Sequence, residues 1–119
     1  MTEVSVALGD AVRVVVDRPM GSCHPEYPEL RYCVNYGYIP GTLAADGEEE
    51  DAYILGVDHP VEEFFGRVIA VIIREDDEEC KWVVAPEGRT FTKGEIRRAV
   101  RFQEQYFRYE VCMPPEEKL

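Results

Sequence analysis

The sequence predicts a small, mainly β protein in which five strands form a barrel and one C-terminal helix packs on it. Five short runs of β-branched and aromatic residues follow one another with turns between them, as in small barrels. A later segment repeats apolar residues at three- and four-residue spacing, which indicates a helix. The 119 residues can bury one hydrophobic core, so we expect one domain over residues 1–113 and a disordered tail over residues 114–119.

Each predicted strand is supported by its composition. The first, AVRVVV, is β-branched, and the second alternates aromatic and polar residues. The third is an apolar run after an acidic turn, the fourth, RVIAVII, is the most hydrophobic, and the fifth ends at a proline. The segment RPMGSCHPEYPEL, which holds three prolines, is predicted to be a loop between the first two strands. The five strands are predicted over residues 11–16, 30–39, 52–57, 67–73 and 81–86.

The helix is predicted to begin near Thr92. Thr92 and Glu95 have the spacing of a capping box, in which each side chain bonds to the backbone of the other residue. The residues that follow form one mostly apolar stripe, and we expect this stripe to close one side of the barrel. Its members are Ile96, Ala99, Val100, Gln103, Tyr106 and Phe107.

Charge and composition exclude several classes of function. The chain carries 24 acidic and 13 basic side chains, for a formal net charge of -11, whereas a nucleic-acid binder needs a basic stripe. No apolar run approaches the roughly 18 residues of a membrane span, and the N-terminus has no signal-peptide pattern. We therefore expect a cytoplasmic protein without nucleic-acid or membrane partners. The four cysteines, Cys23, Cys33, Cys80 and Cys112, form no CxxC pair and are expected to be reduced.

Two acidic turns stand beside predicted strands. The first is DGEEED at residues 46–51, and the second covers residues 75–79. Carboxylate oxygens are the ligands that Mg²⁺, Mn²⁺ and Ca²⁺ prefer, although the first turn does not have the spacing of an EF-hand. From the residues alone, both a shared metal site and two solvated acidic loops stay open.

Cationic and phenolic side chains accompany these turns. Arg18 and Lys81 lie next to predicted strands near the carboxylates, and Tyr36 and Tyr106 add hydroxyl groups. Carboxylates for metal ions together with donors for oxyanions fit phosphoryl transfer to water, where catalysis is mainly positioning and charge neutralisation. His24 and His59 are isolated in sequence, so a nucleophilic triad is not supported.

The segment NYGYI at residues 35–39, followed by DGEEED, resembles the soluble magnesium-dependent inorganic pyrophosphatases of family I. In that family an NYGYI segment precedes a D-G-D-P-x-D motif, and the similarity here continues over residues 67–86 and 102–106. The resemblance implies an OB-like five-stranded barrel and the hydrolysis of pyrophosphate to two phosphates by metal-activated water. It also implies Mg²⁺ as the cofactor, with Mn²⁺ as a substitute, and a possible homo-oligomer.

The resemblance also implies roles for individual residues. Glu48 and Asp51 are implied to be catalytic, with Glu48 as the base that deprotonates the attacking water. The implied metal ligands are Asp46, Asp51, Asp76 and Glu79, and the implied contacts to phosphate oxygens come from Arg18, Tyr36, Lys81 and Tyr106.

The chain departs from the family pattern at one of these positions and at the residue after Tyr106. Glu48 stands where the family has aspartate, and Phe107 stands where it has a lysine after the helix tyrosine. One added methylene can displace a base by about 1 Å, a misplacement that can cost roughly 100-fold in rate. Two alternatives therefore stay open: a non-catalytic module that binds a phosphate ligand, and a hydrolase of another phosphoanhydride such as a nucleotide.

Overall fold

The computed structural model describes residues 6–76 and 79–114. Within these residues the elements in chain order are six strands and one helix: β1 (Ala11–Arg18), β2 (Asn35–Ile39), β3 (Glu50–Ile54), β4 (Glu63–Arg74), β5 (Cys80–Ala85), α1 (Lys93–Glu104) and β6 (Tyr109–Cys112). The predicted mainly β fold, a five-stranded OB-like barrel with a C-terminal helix, is confirmed. The predicted disordered tail lies, apart from Pro114, outside the described residues.

The barrel closes because β4 pairs with strands on both of its sides. The strand order is β1-β2-β3-β5-β4, and the first residues of β4 pair back to β1. β3 and β5 are parallel neighbours, and the other pairings are antiparallel. The last four residues of β4 extend past β1 and pair with β6, which was not predicted from the sequence. A four-residue strand carries little local signal, and β6 depends on this long-range pairing.

Two hydrophobic clusters lie on opposite faces of the strands. The first draws side chains from all five barrel strands and fills the barrel interior: Val14, Ile39, Ala52, Ile54, Val68 and Val84. The second lies outside the barrel, where α1 covers the sheet, and includes Tyr32, Tyr36, Tyr53, Ile72, Ile96, Val100 and Val111. This outer face therefore combines a packed helix with aromatic side chains from β2 and β3.

The start of α1 agrees with the prediction, and its end differs from it. The Thr92 side chain accepts a hydrogen bond from the backbone of Glu95, and Glu95 bonds back to the backbone of Thr92, so the capping box is confirmed. The helix ends at Glu104, and Tyr106 and Phe107 lie in the turn beyond it. No helix in the described residues is long and apolar enough to cross a membrane.

An irregularity in β1 changes the direction of two side chains. Val16 is opposite Gly37 and Arg18 is opposite Tyr36, so Asp17 is an extra residue between two consecutive positions of β2. A β-bulge of this kind bends the strand and turns its side chains away from the regular alternation. Asp17 and Arg18 consequently both face the outer side of the barrel next to Tyr36.

Close approach of β1 requires glycine at position 37. A Cβ atom added there would lie 1.9 Å from the Val15 carbonyl oxygen, far inside van der Waals contact. We expect Gly37→Ala to lower the free energy of unfolding by about 3 kcal/mol, because the strands must separate to admit the methyl group. Urea denaturation followed by circular dichroism measures this change.

The matched control is Gly94→Ala in the first turn of α1, where the nearest atom to the added Cβ is 3.9 Å away. This variant should be stabilised by about 0.5–1 kcal/mol, since alanine favours helix. Equal unfolding midpoints for the two variants would contradict the close approach of β1 and β2.

Candidate active site

An open cleft of about 940 Å³ lies on the outer face of the barrel beside the C-terminal end of α1. The bulged end of β1, the segment between β1 and β2, and single residues of β2 to β5 form its floor and one wall. The turn after α1 forms the other wall. Six of the nine predicted site residues line it: Arg18, Tyr36, Asp51, Glu79, Lys81 and Tyr106.

The other three predicted residues, Asp46, Glu48 and Asp76, are not among the described residues that line the cleft. Asp46 accepts a hydrogen bond from the Glu48 backbone at 3.0 Å, and Asp76 accepts one from the Arg108 backbone at 2.8 Å. Asp46 therefore stabilises its own turn, and Asp76 connects the end of β4 to the segment before β6. The roles of the three residues as base and metal ligands stay predictions from the resemblance. The neighbouring acids at positions 77 and 78 lie outside the described residues.

Lys81 holds two carboxylates of the cleft together. β3 and β5 are parallel and place Asp51 directly opposite Lys81. The Lys81 Nζ lies 2.6 Å from Asp51 Oδ2 and 3.6 Å from Glu79 Oε1. Because the lysine side chain is buried, its charge must be paired. The floor of the cleft is thus an ordered cluster of one ammonium and two carboxylates.

A second charged cluster joins the cleft to the helix. Arg74 is 6% exposed and donates two hydrogen bonds of 2.8 Å to Glu104, which is fully buried in α1. The remaining terminal nitrogen of Arg74 donates to Glu79 at 3.0 Å. The Tyr53 hydroxyl also donates to Glu104, at 2.6 Å. Arg74 and Glu104 were not predicted as site residues, because a charged residue at a strand or helix end ordinarily faces solvent.

Arg18 is the cation of the cleft that is best placed for an anionic ligand. Its guanidinium donates to the Tyr32 hydroxyl and lies 5.6 Å from the ring centres of Tyr32 and Tyr36. Within the described part of the chain it forms no ion pair with a carboxylate. Burial raises the pKa of Tyr36 well above its ordinary value, so its hydroxyl stays protonated and can donate.

Asp17 is a site residue that was not predicted from the sequence. Asp17 lines the cleft, and partial burial raises the pKa of its carboxyl group, as does the nearby Asp51 charge, whereas Arg18 lowers that pKa. A carboxylate with a raised pKa accepts a proton more readily than the carboxylate of a fully solvated aspartate. The only signal in the sequence was its position immediately before Arg18 at a strand end, and the bulge that directs it into the cleft on the outer face is not visible in composition.

The carboxylates of the cleft match the donor set of a hard divalent cation. Mg²⁺ commonly binds one or two protein carboxylates and completes its coordination with water and substrate phosphates. Asp51 and Glu79, with Asp17 close to Asp51, supply such oxygen donors. No group of three metal-binding side chains converges within residues 6–76 and 79–114. The described donors therefore fit a cation that is shared with a phosphate ligand.

A barrel whose outer cleft combines carboxylates, cations and phenols is the kind of protein that binds phosphate-bearing ligands. The inorganic pyrophosphatase family matches residues 7–99 of this chain. Because this match covers most of the sequence, the chain belongs to the inorganic pyrophosphatase family, whose members are hydrolases and are generally metal-dependent.

Individual relatives agree with this assignment. The inorganic pyrophosphatase of Gluconobacter oxydans (strain 621H) is 36% identical over 55 residues, which cover 44% of this chain and 32% of the relative. The match thus spans about a third of that protein's length.

Solved structures of inorganic pyrophosphatases share the fold. The enzyme from Ehrlichia chaffeensis superposes with a TM-score of 0.67 at 19% identity, covering 92% of this chain and 88% of the other. The enzyme from Neisseria gonorrhoeae gives 0.64 at 22% identity, covering 82% and 74%. For the enzyme from Coxiella burnetii the TM-score is 0.61 at 21% identity, covering 89% and 88%.

The buried Arg74–Glu104 pair makes a stability prediction. Glu104→Gln keeps the shape of the side chain but leaves the Arg74 charge undercompensated, and loss of one partner of a buried pair costs about 3–5 kcal/mol. We expect a loss of about 3 kcal/mol in the free energy of unfolding, measured by urea denaturation. Glu110→Gln, at an exposed position of β6, should change stability by less than about 0.5 kcal/mol.

The double variant Arg74→Met/Glu104→Gln separates charge from packing. Removing both charges should recover part of the loss seen in Glu104→Gln, because the orphaned guanidinium is gone. If Glu104→Gln were no less stable than Glu110→Gln, the pair would not connect the helix to the barrel in the way described.

Proposed function

We propose that this protein hydrolyses inorganic pyrophosphate to two phosphates in a magnesium-dependent reaction. The observation that carries the proposal is the convergence of Arg18, Asp51, Glu79 and Lys81 on one cleft. These residues come from β1, β3, β5 and the turn before β5, and the fold brings them together at a place where a dianionic phosphoryl group can be held. Membership of the inorganic pyrophosphatase family supports the choice of substrate.

The cations and hydroxyls would bind the phosphate oxygens. Arg18 presents a planar guanidinium, which matches the geometry of a phosphate group, and Lys81 adds a second positive charge. Tyr36 donates a neutral hydroxyl from the floor, and Tyr106 stands at the opposite wall. Lys81 is already paired with Asp51, so a phosphate that approaches it would be positioned beside that carboxylate.

Asp51 and Glu79 are the residues that would hold Mg²⁺, with Mn²⁺ as a substitute. When bound, a divalent cation would neutralise the charge of the diphosphate and lower the pKa of water. Asp46 and Asp76 remain proposed ligands on the strength of the resemblance alone. The ligand oxygens of the substrate would complete the coordination sphere, as is common for Mg²⁺.

The proton of the attacking water needs an acceptor, and two carboxylates are candidates. Glu48 is the base that the resemblance proposes. Asp17 is favoured by its position in the cleft beside Arg18 and by its raised pKa. We therefore propose Asp17 as the acceptor and retain Glu48 as the alternative.

Asp51 provides the first test of the proposed activity. Asp51→Asn removes a carboxylate that faces both Lys81 and the proposed cation, so phosphate release from pyrophosphate with Mg²⁺ should fall at least about 100-fold. Asp58→Asn is the matched control, since Asp58 is exposed and does not line the cleft, and it should retain the activity of the parent protein. No release above background from the parent protein with Mg²⁺ or Mn²⁺ would reject the proposal.

The choice of base makes a pH prediction. An acceptor must be deprotonated, so a raised pKa of Asp17 moves the acidic limb of the kcat/KM profile to a pH above that of an ordinary aspartate. Asp17→Asn should abolish this limb and lower kcat/KM about 100-fold, whereas Glu48→Gln should lower it less than about threefold. The opposite ranking of the two variants in a pH series of phosphate release would assign the role to Glu48.

A further inference from the structure

The mouth of the cleft is aromatic, in contrast to its charged floor. The segment between β1 and β2 contributes His24 and Tyr27, α1 contributes Phe102, and the turn after α1 contributes Tyr106 and Phe107. Tyr27 is 59% exposed and Tyr106 is 69% exposed. Large aromatic side chains that stand exposed around a polar pocket mark a surface that can be covered by a ligand. The proposed phosphate contacts account for Tyr106 but not for Tyr27.

The cleft is also larger than a diphosphate requires. Its volume of about 940 Å³ is at the upper end of the roughly 300–1,000 Å³ found for pockets that bind drug-sized ligands. A pyrophosphate ion consists of two phosphoryl groups and would occupy only the charged floor. The space between the aromatic side chains would then remain filled with water.

Tyr27 is held in place by a hydrogen-bonded loop. The His24 and Leu30 backbones bond at 2.8 Å, and the Leu30 amide donates to the Tyr27 carbonyl at 2.9 Å. The Nδ1 atom of His24 accepts from the backbone of Glu26 at 3.0 Å, and the His24 ring lies 5.1 Å from the Tyr27 ring. An aromatic side chain on a loop of fixed shape loses little conformational entropy when a ligand stacks on it.

Packed rings connect the aromatic mouth of the cleft to its floor. The His24 ring stacks on Tyr32 at 6.3 Å, and Tyr32 is 5.2 Å from Phe102 and 5.5 Å from Tyr36. Tyr32 also accepts the hydrogen bond of Arg18. Tyr32 is itself buried, so the rings that a ligand with its phosphates on Arg18 can reach on this side are those of His24 and Tyr27.

We propose that the cleft takes a nucleoside diphosphate, with its base against Tyr27 and its two phosphates on the charged floor. This inference rests on the proposed phosphoanhydride hydrolysis and names a larger substrate class for the same site. Aromatic rings with polar tips stack on every nucleobase, at a gain of about one to two orders of magnitude in affinity per base. The net charge of -11 favours a single nucleotide over a nucleic-acid strand.

The reaction would be hydrolysis at the terminal phosphorus. The oxygen of water forms a bond to that phosphorus, and the bond from phosphorus to the bridging oxygen breaks. The bridging oxygen leaves with the electron pair on the nucleoside monophosphate. The products are a nucleoside monophosphate, inorganic phosphate and the proton released from water, and no oxidation or reduction takes place.

The test compares four substrates that share the same anhydride: pyrophosphate, adenosine diphosphate, methyl diphosphate and n-pentyl diphosphate. Phosphate release with Mg²⁺ gives kcat/KM for each. We expect adenosine diphosphate to exceed methyl diphosphate at least about tenfold, the effect of one base–aromatic stack. n-Pentyl diphosphate should remain near methyl diphosphate, because it is apolar but cannot stack. Equal values for adenosine and methyl diphosphate, or for adenosine and n-pentyl diphosphate, would overturn the proposal.

Variants locate the effect at the mouth of the cleft. Tyr27→Ala should lower kcat/KM for adenosine diphosphate about tenfold relative to pyrophosphate, chiefly through KM, and Tyr27→Phe should restore it because the ring is retained. Phe65→Ala is the matched control: Phe65 is 66% exposed but lies on β4 away from the cleft. A ratio that does not change in Tyr27→Ala would overturn the assignment of Tyr27.

Calorimetry separates this inference from the proposed function. If pyrophosphate is hydrolysed and adenosine diphosphate is not preferred over methyl diphosphate, the inference fails and the proposed function stands. If no substrate is hydrolysed but adenosine diphosphate binds and Tyr27→Ala weakens that binding about tenfold, the proposed hydrolysis fails and the nucleotide site stands. If adenosine diphosphate neither reacts nor binds, the inference is rejected.

Discussion

The ion pair between Arg74 and Glu104 is the interaction on which the rest of the structure depends. It joins the last residue of β4 to the last residue of α1, in a place that water hardly reaches. A charged pair removed from water is tolerated only when both partners are well bonded, and here Tyr53 and Glu79 complete the set. The same arginine thereby fixes the helix on the barrel and a carboxylate in the cleft. Stability and site geometry are carried by one cluster.

The cleft is electrostatically balanced before any ligand enters. The positive charge of Lys81 neutralises Asp51 and partly offsets the charge of Glu79. The acidic residues of the floor therefore repel an incoming phosphate less strongly than the net charge of the chain suggests. Arg18, which is supported by Tyr32, adds a positive charge at the end of a bulged strand. A site arranged in this way can share a divalent cation with an anionic ligand, because the cation and the ligand neutralise each other's charge.

Much of this could be predicted from the sequence, and the remainder has identifiable physical causes. The periodicity and composition of short segments predicted the strands of the barrel, and the capping box predicted the start of α1, because these are local signals. The family resemblance predicted Asp51 and Lys81 as site residues, and the parallel pairing of β3 and β5 places the two opposite each other in the cleft. Asp17 could not be predicted, because the bulge that directs it into the cleft depends on pairing with the neighbouring strand. The burial of Arg74 could not be predicted either, because it depends on contact with a helix that is distant in sequence.

The central claim is that the charged floor of the cleft holds a cation and a phosphate ligand together. A crystal structure of the protein with Mn²⁺ and a non-hydrolysable diphosphate, with anomalous scattering to locate the metal, tests it most directly. The account predicts a Mn²⁺ ion on the carboxylates of Asp51 and Glu79 and phosphate oxygens on Arg18 and Lys81. A Mn²⁺ ion bound away from Asp51 and Glu79, or a diphosphate bound elsewhere on the barrel, would contradict it.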